Sequence, residues 1–334
     1  MDYEVRNLDL KNSNLLSKLY QDCFSKHVEK DYFFWKYKGC PHGDVLGKEA
    51  WDDNCLIGFY GILPEKMVFK GQERIVYQSM DTMTHSNYGR KGIFSHLAKQ
   101  CFKNYLEISK NRFVYAFTAL NSFHGFINNL DFHHVGDIHH IYLPKILFRI
   151  LSFSNKNKFT FKKIERFDAK IDLFYKKRKS FFEIEKKLDS SFLNWRTFDH
   201  PFNEYSCFYI YESKELIGYF VYRFSGKNLI SLEYFDFLDK KYLKDIKLII
   251  KKIFEEPNCK IIETFQPTSS EVSTFFFKVG FFRSFLSRGP FQRITKFIYN
   301  DFSESNFPPK EILPNFNLQP LVRDCVFLKK HLFY

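Results

Sequence analysis

The sequence predicts an α/β protein made of two related mixed-sheet halves packed together. Three observations predict it. Helical and alternating apolar periodicities interleave along the chain. A set of landmark residues recurs at one fixed spacing. A strand, a glycine turn and a helix follow one another near residue 90. The length, 334 residues, suits two domains.

The recurrence is specific. Tyr32-Phe33-Phe34-Trp35-Lys36, Pro41 and Leu56-Ile57-Gly58-Phe59 are matched by Phe192-Leu193-Asn194-Trp195-Arg196, Pro201 and Leu216-Ile217-Gly218-Tyr219. Trp35 and Trp195, Pro41 and Pro201, and Gly58 and Gly218 are each 160 apart. One Trp–Pro coincidence is easy; a shared offset for Trp, a following base, Pro and Leu-Ile-Gly is not. Each copy reads as a Trp-anchored helix end followed by a hairpin strand. Further on, residues 126–132 resemble 275–281 at an offset of 149, so the second copy is shorter by eleven residues between these landmarks.

Within the first copy, residues 14–29 carry Leu15, Leu16, Leu19 and Tyr20 at helical spacing. Residues 54–60 and 62–69 read as two strands, Lys70-Gly71 as a turn, and Arg74 to Thr84 as a long strand. A helix over 92–109, a buried strand over 112–118, a short helix over 122–130 and a strand over 132–143 follow. The expected domains are 1–140, a basic linker over 141–187, a second unit over 188–300 and an extended arm over 301–334 with four prolines.

Composition removes several classes. No apolar run reaches the ~18 residues of a membrane span, and the amino terminus lacks the basic start and apolar stretch of a signal peptide. Seven scattered cysteines include no Cys-x-x-Cys pair, which argues against structural zinc and a disulfide framework and for a reduced, cytoplasmic protein. Aromatic residues are 20% of the chain, a bias shared with Lys, Ile and Asn that supports no functional claim. The formal net charge of +13 favours anionic ligands. The adjacent pairs His133-His134 and His139-His140 point their members to opposite strand faces, so a metal site is not expected. No nucleic-acid motif accompanies the lysines of 241–252, which read as a solvated helix face.

The chemistry lies in Met80-Asp81-Thr82-Met83-Thr84-His85-Ser86-Asn87-Tyr88-Gly89-Arg90-Lys91-Gly92-Ile93-Phe94. Successive N–H groups from Gly89 to Phe94 would line an anion-binding concavity at the positive end of a helix. Gly92 would let a phosphate approach closely, and Arg90 and Lys91 would add charge.

Gly89-Arg90-Lys91-Gly92-Ile93-Phe94 resembles the acyl-CoA pyrophosphate loop of the GNAT superfamily of N-acyltransferases, with Gly89 in place of the usual first residue and Phe94 in place of the last. Asp81 to His85, Asn121-Ser122 and Leu130-Asp131-Phe132 match the neighbouring segments in order and spacing. The resemblance covers residues 1–140 well and 188–290 more loosely. It implies two GNAT-like domains, the first with an intact acyl-CoA loop and the second degenerate, since 236–250 contain no glycine.

The resemblance also implies roles. The backbone at Met83 and Thr84 would bind the pantetheine arm, the amides of Arg90 to Phe94 the pyrophosphate, and Asn121 and Ser122 the far part of the arm. Acetyl-CoA, or another acyl-CoA, would be the co-substrate, and a primary amine the acceptor. An anionic acceptor, such as a nucleotide-linked amino sugar, fits the positive charge. The tyrosine that serves as acid in the family is replaced here by Ile127. His124, Tyr115 and Asp81 are the nearby substitutes. Each also has a structural explanation: His124 as an exposed helix residue, Tyr115 as sheet packing, Asp81 as a brace for the strand end. Competing functions are a tandem-GNAT aminoacyl transferase of cell-wall type and an acyl-CoA-binding module without catalysis. The intact loop argues against the former, the missing tyrosine for the latter.

Overall fold

The computed structural model describes residues 2–108, 113–118, 120–151, 158–180, 182–267, 271–283 and 294–302. They form two compact units. One runs to Gly136 and takes in the segment from Thr295; the other spans Asp137–Ile294.

In chain order the elements are β1 (Glu4–Asn7), α1 (Ser13–Phe24), α2 (Lys30–Tyr37), β2 (Leu46–Asp52), β3 (Cys55–Phe69), β4 (Gln72–Thr84), α3 (Ile93–Ile108), β5 (Phe113–Thr118) and α4 (Leu120–Asn129). Then come β6 (His133–Pro144), α5 (Lys145–Leu151), β7 (Phe159–Ile164), α6 (Ala169–Lys177), β8 (Ile184–Lys186), α7 (Ser190–Arg196), β9 (Ser206–Glu212), β10 (Glu215–Gly226) and β11 (Leu229–Phe237). The last are α8 (Ile246–Ile253), β12 (Ile261–Pro267), α9 (Glu271–Val279), β13 (Phe282–Arg283) and β14 (Ile294–Asp301).

The sheet of the first unit runs β1-β2-β3-β4-β5-β14, and that of the second β7-β9-β10-β11-β12-β6. In each, one pair is parallel, β4 with β5 and β11 with β12. The other pairs in both units are antiparallel. A parallel pair needs a crossover, and α3 and α8 supply it. The repeat is thus real at the level of hydrogen bonding. β2 and β9 begin 160 residues apart, as do β3 and β10.

The shorter offset also holds. Asp131 and Gly280, 149 apart, both adopt left-handed φ, 55° and 106°. Each follows a helix end closed by an amide that reaches back past the ordinary helical partner, Phe132 N to Phe126 O (3.2 Å) and Phe281 N to Phe276 O (3.1 Å).

Several expectations need correction. The segment 141–187 is not a linker. β7 pairs with β9 along its length, and β7 and α6 stand where β1 and α1 stand in the first unit. β14 does not close the second unit. It pairs antiparallel with β5, Lys296 opposite Thr118 and Asp301 opposite Val114's neighbour Phe113. The first unit is therefore not contiguous in sequence, and a chain cut at residue 140 would lose the strand that completes its sheet. Residues 55–69 form one strand, where two were expected over 54–60 and 62–69. The first helix stops at Phe24 because Ser25 turns left-handed, φ 52°. Beyond residue 302 the expected arm lies outside the described residues.

The apolar stripe of α3 explains why the first unit folds around it. Ile93, Leu97, Ala98, Cys101, Phe102 and Tyr105 are all buried and join Ala50, Ile57, Tyr60, Val114, Ala116 and Phe126 in one core. In the second unit, α8 and α9 cover the corresponding face with Ile246, Ile249, Ile253, Val272 and Phe276.

Candidate functional site

The central event is a parting of two strands. β4 and β5 pair only through Tyr77–Val114, Gln78–Tyr115 and Ser79–Ala116. Two residues on, Asp81 takes φ 46°, and the β3–β4 register slips between Phe59–Met83 and Gly61–Met80. This is a β-bulge, which re-aims a strand. The remainder of β4, Met80 to Thr84, then has no β5 partner among the described residues. The opening begins just past Ser79 and Ala116.

Asp81 is fixed by a buried network. Its Oδ2 lies 2.7 Å from Lys36 Nζ and accepts from Tyr37 Oη at 2.8 Å. The Lys36 side chain is 1% exposed and that of Asp81 11%. Lys36 also donates to Tyr32 Oη, 3.1 Å. The reading of Asp81 as a brace matches these contacts. Sequence reasoning missed Lys36 as its partner, although the base after each repeated tryptophan was visible. Lys36 and Arg196 are both buried.

The end of β4 is clamped from α1. Cys23 Sγ donates to Thr84 O at 3.3 Å, and Asp22 accepts from Ser86 N (2.8 Å) and Ser86 Oγ (2.9 Å). Burial pushes the Cys23 thiol up to about 11, so it is not a thiolate nucleophile at neutral pH. Met83 is fully buried; Thr84 is half-buried.

The following loop is exposed and shaped for an anion. Gly89 to Gly92 face solvent. Arg90 and Gly92 take left-handed φ, 62° and 76°, on either side of Lys91. Such alternation turns successive N–H groups toward one point. Tyr88 anchors the loop by donating to Asp52 Oδ2 at 2.7 Å, and Lys91 Nζ sits 4.9 Å from the Tyr88 ring centre. The first helical bond of α3 is His96 N to Gly92 O, 3.0 Å. The amides of Ile93, Phe94 and Ser95 precede it and keep the positive end of a 16-residue helix open. A Cβ built on Gly92 meets nothing within 4 Å, so the loop presents open space there. An acyl-CoA pyrophosphate fits this donor set.

Tight packing holds the helix start. A Cβ on Gly58 would lie 2.8 Å from Ile93 Cγ2, and one on Gly125 would lie 2.7 Å from Phe94 Cε1. Phe94 packs on Phe126 at 5.0 Å and on Tyr60 at 5.9 Å. Phe94, an odd final residue for the loop, is thus a core anchor.

The three candidates for proton transfer are not brought together. Tyr115 is fully buried and donates to Glu65 Oε2, itself buried, as the packing explanation requires. His124 is exposed on α4 beside Phe123. Asn121 is exposed and Ser122 half-buried at the amino end of α4. Among the described residues no group of three side chains could hold a metal ion, and no helix is long and apolar enough to cross a membrane.

Comparison with known proteins agrees with this geometry. Residues 4–125 match the family model described as an acetyltransferase (GNAT) domain. No curated protein matches the sequence. A probable N-acyltransferase from Enterococcus faecalis superposes with a TM-score of 0.65 at 11% identity, covering 90% of this chain and 72% of its own. N-myristoyltransferase from Saccharomyces cerevisiae with bound myristoyl-CoA gives 0.58 at 12% identity, covering 90% and 79%. A tandem GNAT protein from the clavulanic acid biosynthesis pathway gives 0.62 at 10% identity, covering 91% and 100%. Residues 4–125 accordingly match a GNAT acetyltransferase domain, and the chain as a whole has the fold of the GNAT N-acyltransferases.

Proposed function

We propose that this chain is an acyl-CoA-dependent N-acyltransferase that transfers an acyl group, acetyl in the simplest case, to a primary amine. The observation that carries the reading is the open β4–β5 pair lying next in sequence to the exposed amino end of α3.

In this reading the amides of Arg90 to Phe94 and the charges of Arg90 and Lys91 hold the pyrophosphate. The unpaired edge of β4 at Met83 and Thr84 receives the pantetheine arm, with Asn121 and Ser122 at the amino end of α4. Bound acyl-CoA supplies the electrophilic thioester. An N–H on the β4 edge polarises the thioester carbonyl during attack by the amine.

Proton handling differs from the family pattern. Tyr115 is committed to Glu65, and Asp81 to Lys36 and Tyr37. His124 remains the candidate that can exchange protons with water. A thiolate is a good leaving group and departs without a dedicated acid. The net charge of +13 suits an anionic acceptor, such as a nucleotide-linked amino sugar.

The test is thiol release from acetyl-CoA by the full chain over a panel of amines, amino sugars and their nucleotide conjugates included. Amine-dependent release supports the reading. Tight acetyl-CoA binding without release from any amine would favour a binding module instead.

A further inference from the structure

We propose that the helical layer of the second unit is a docking surface for an anionic lipid bilayer, an inference that goes beyond the acyltransferase reading and does not depend on it. α5 carries the apolar part. Ile146 and Ile150 lie one turn apart on it and are each 66% exposed. Arg149 is exposed beside them on the same face. The opposite face is anchored. Phe148 is buried in the core of the unit and packs at 5.3 Å on Phe254, the residue that follows α8. Lys145 Nζ donates to Phe254 O. α5 and α8 thus belong to one layer over one core.

The charge stands next to it. From Lys240 through α8 to Ile253 the chain carries Lys240, Lys241, Lys244, Lys247, Lys251 and Lys252 against one acid, the buried Asp245. Lys240 and Lys252 are paired, to Glu271 at 2.8 Å and to Glu255 at 2.7 Å. Arg149, Lys244, Lys247 and Lys251 form no ion pair among the described residues. Like charges four apart on a helix cost stability, and a solvated surface ordinarily mixes signs. Lys247 and Lys251 are such a pair. A face that keeps this repulsion beside exposed isoleucines is complementary to something both anionic and apolar.

A bilayer with anionic headgroups is both. Its acyl boundary accepts Ile146 and Ile150, and its phosphates meet the bases. Lysine stems can lie along that boundary while their ammonium groups stay among the headgroups. A protein partner matches the face less well. Protein interfaces favour aromatic anchors and are depleted in lysine, whereas the exposed face of α5 offers isoleucine and arginine. The surface would rest on the bilayer; among the described residues no helix is long and apolar enough to cross one.

The experiment is co-sedimentation of the full chain with vesicles of phosphatidylcholine, alone or with about 30% phosphatidylglycerol. Wild type should bind the anionic vesicles, not the neutral ones, and should come off as salt rises from ~0.1 M to ~1 M. Ile146→Ser with Ile150→Ser should weaken binding by about tenfold or more, because the buried apolar area is lost. Lys244→Gln, Lys247→Gln and Lys251→Gln together should weaken it by about a hundredfold. A control removes the same charge from exposed lysines of the first unit, Lys18→Gln, Lys99→Gln and Lys103→Gln, and should stay within about twofold of wild type. No binding to anionic vesicles would overturn the proposal. So would an equal loss in the control, or full binding by the serine variant, since either would reduce the effect to the net charge of the chain. The serine variant should keep the wild-type Tm; a fall would show that the two isoleucines pack within the fold and would also overturn the proposal. Sedimentation velocity without vesicles covers the remaining occupant. A wild-type dimer that the serine variant abolishes would assign the face to a second copy and overturn the lipid reading.

Discussion

Lys36 and Asp81 form a buried ion pair, Nζ to Oδ2 2.7 Å, at the bulge where β4 leaves β5. The second unit repeats the device with other residues. β11 and β12 pair last at Ser231–Glu263, and two residues on Glu233 is skipped in the β10–β11 register. Glu233 meets a buried base as well, Arg223 Nε at 2.6 Å. An acid two residues after a serine, Ser79 or Ser231, marks the point of parting in both units.

Removing one partner of a buried pair leaves a charge without its counter-ion. Lys36→Met should therefore lower unfolding stability by about 3–5 kcal/mol. Adding Asp81→Asn should restore a large part of that loss, since asparagine tolerates the left-handed backbone at this bulge. Urea unfolding of the two single variants and the double variant gives the coupling directly. Additive losses would mean that the pair does not hold the bulge.

Much of this was legible in the sequence, and the reasons differ by feature. The glycine loop was readable because an anion nest demands particular residues at particular places: Gly92 for its φ, the start of α3 for its amides. The repeat was readable because Trp35, Gly58 and their partners at 195 and 218 are rare residues with fixed spacing. The exchange of β6 and β14 between the units was not, because strand partners are set by tertiary packing and not by local pattern. The Asp81 network was half legible. The acid stood in the motif, but Lys36 lies 45 positions away, and nothing local joins them.

Gly92 tests the loop. Its φ of 76° disfavours any side chain, yet a Cβ there meets open space in the protein itself. Gly92→Ala should therefore fold, at a cost of about 1–2 kcal/mol. A ligand phosphate approaching the backbone would meet the new methyl, so CoA affinity should fall by about tenfold or more. Arg90→Ala with Lys91→Ala should also weaken CoA, while leaving a pantetheine analogue without the diphosphate unaffected. Calorimetric titration reads both. Undiminished CoA affinity in a folded Gly92→Ala protein would place the pyrophosphate elsewhere.

Asp236 gives the second unit a pH signature. Arg178 serves two carboxylates, Glu185 at 2.6 Å and Asp236 at 3.2 Å. For Asp236, burial outweighs the attraction of the guanidinium and pushes its carboxyl up to about 7. An unfolded aspartate ionises near pH ~4. Between those values the folded chain holds a proton that the unfolded chain has lost. This group's contribution to stability is therefore fully present below about pH 4 and declines as pH rises toward 7. The urea midpoint of the wild-type chain should fall more from pH 5 to pH 7.5 than that of Asp236→Asn. Equal falls would show that Asp236 ionises normally.

The last prediction concerns stoichiometry. The halves share strand order, a parallel pair with a crossover helix, and a bulged acid, so two CoA sites would be the naive expectation. The second unit lacks what the first uses. Between β11 and α8 runs a short 3-10 turn, Lys240–Asp245, with no left-handed residue. Its backbone cannot alternate as residues 90–92 do. The amides at its start are already served: Asp239 accepts from Lys241 N at 2.9 Å. Asp245, at the amino end of α8, is itself an acid, paired to Lys158 at 2.9 Å. A carboxylate at the helix start occupies the dipole position a phosphate would need and repels it. One CoA should bind per chain, and Asp245→Asn should not create a second site, since the turn still lacks a nest. Calorimetry on the full chain should give a ratio of one for both proteins. A ratio of two in the wild type would show that the second unit binds CoA by means other than a loop.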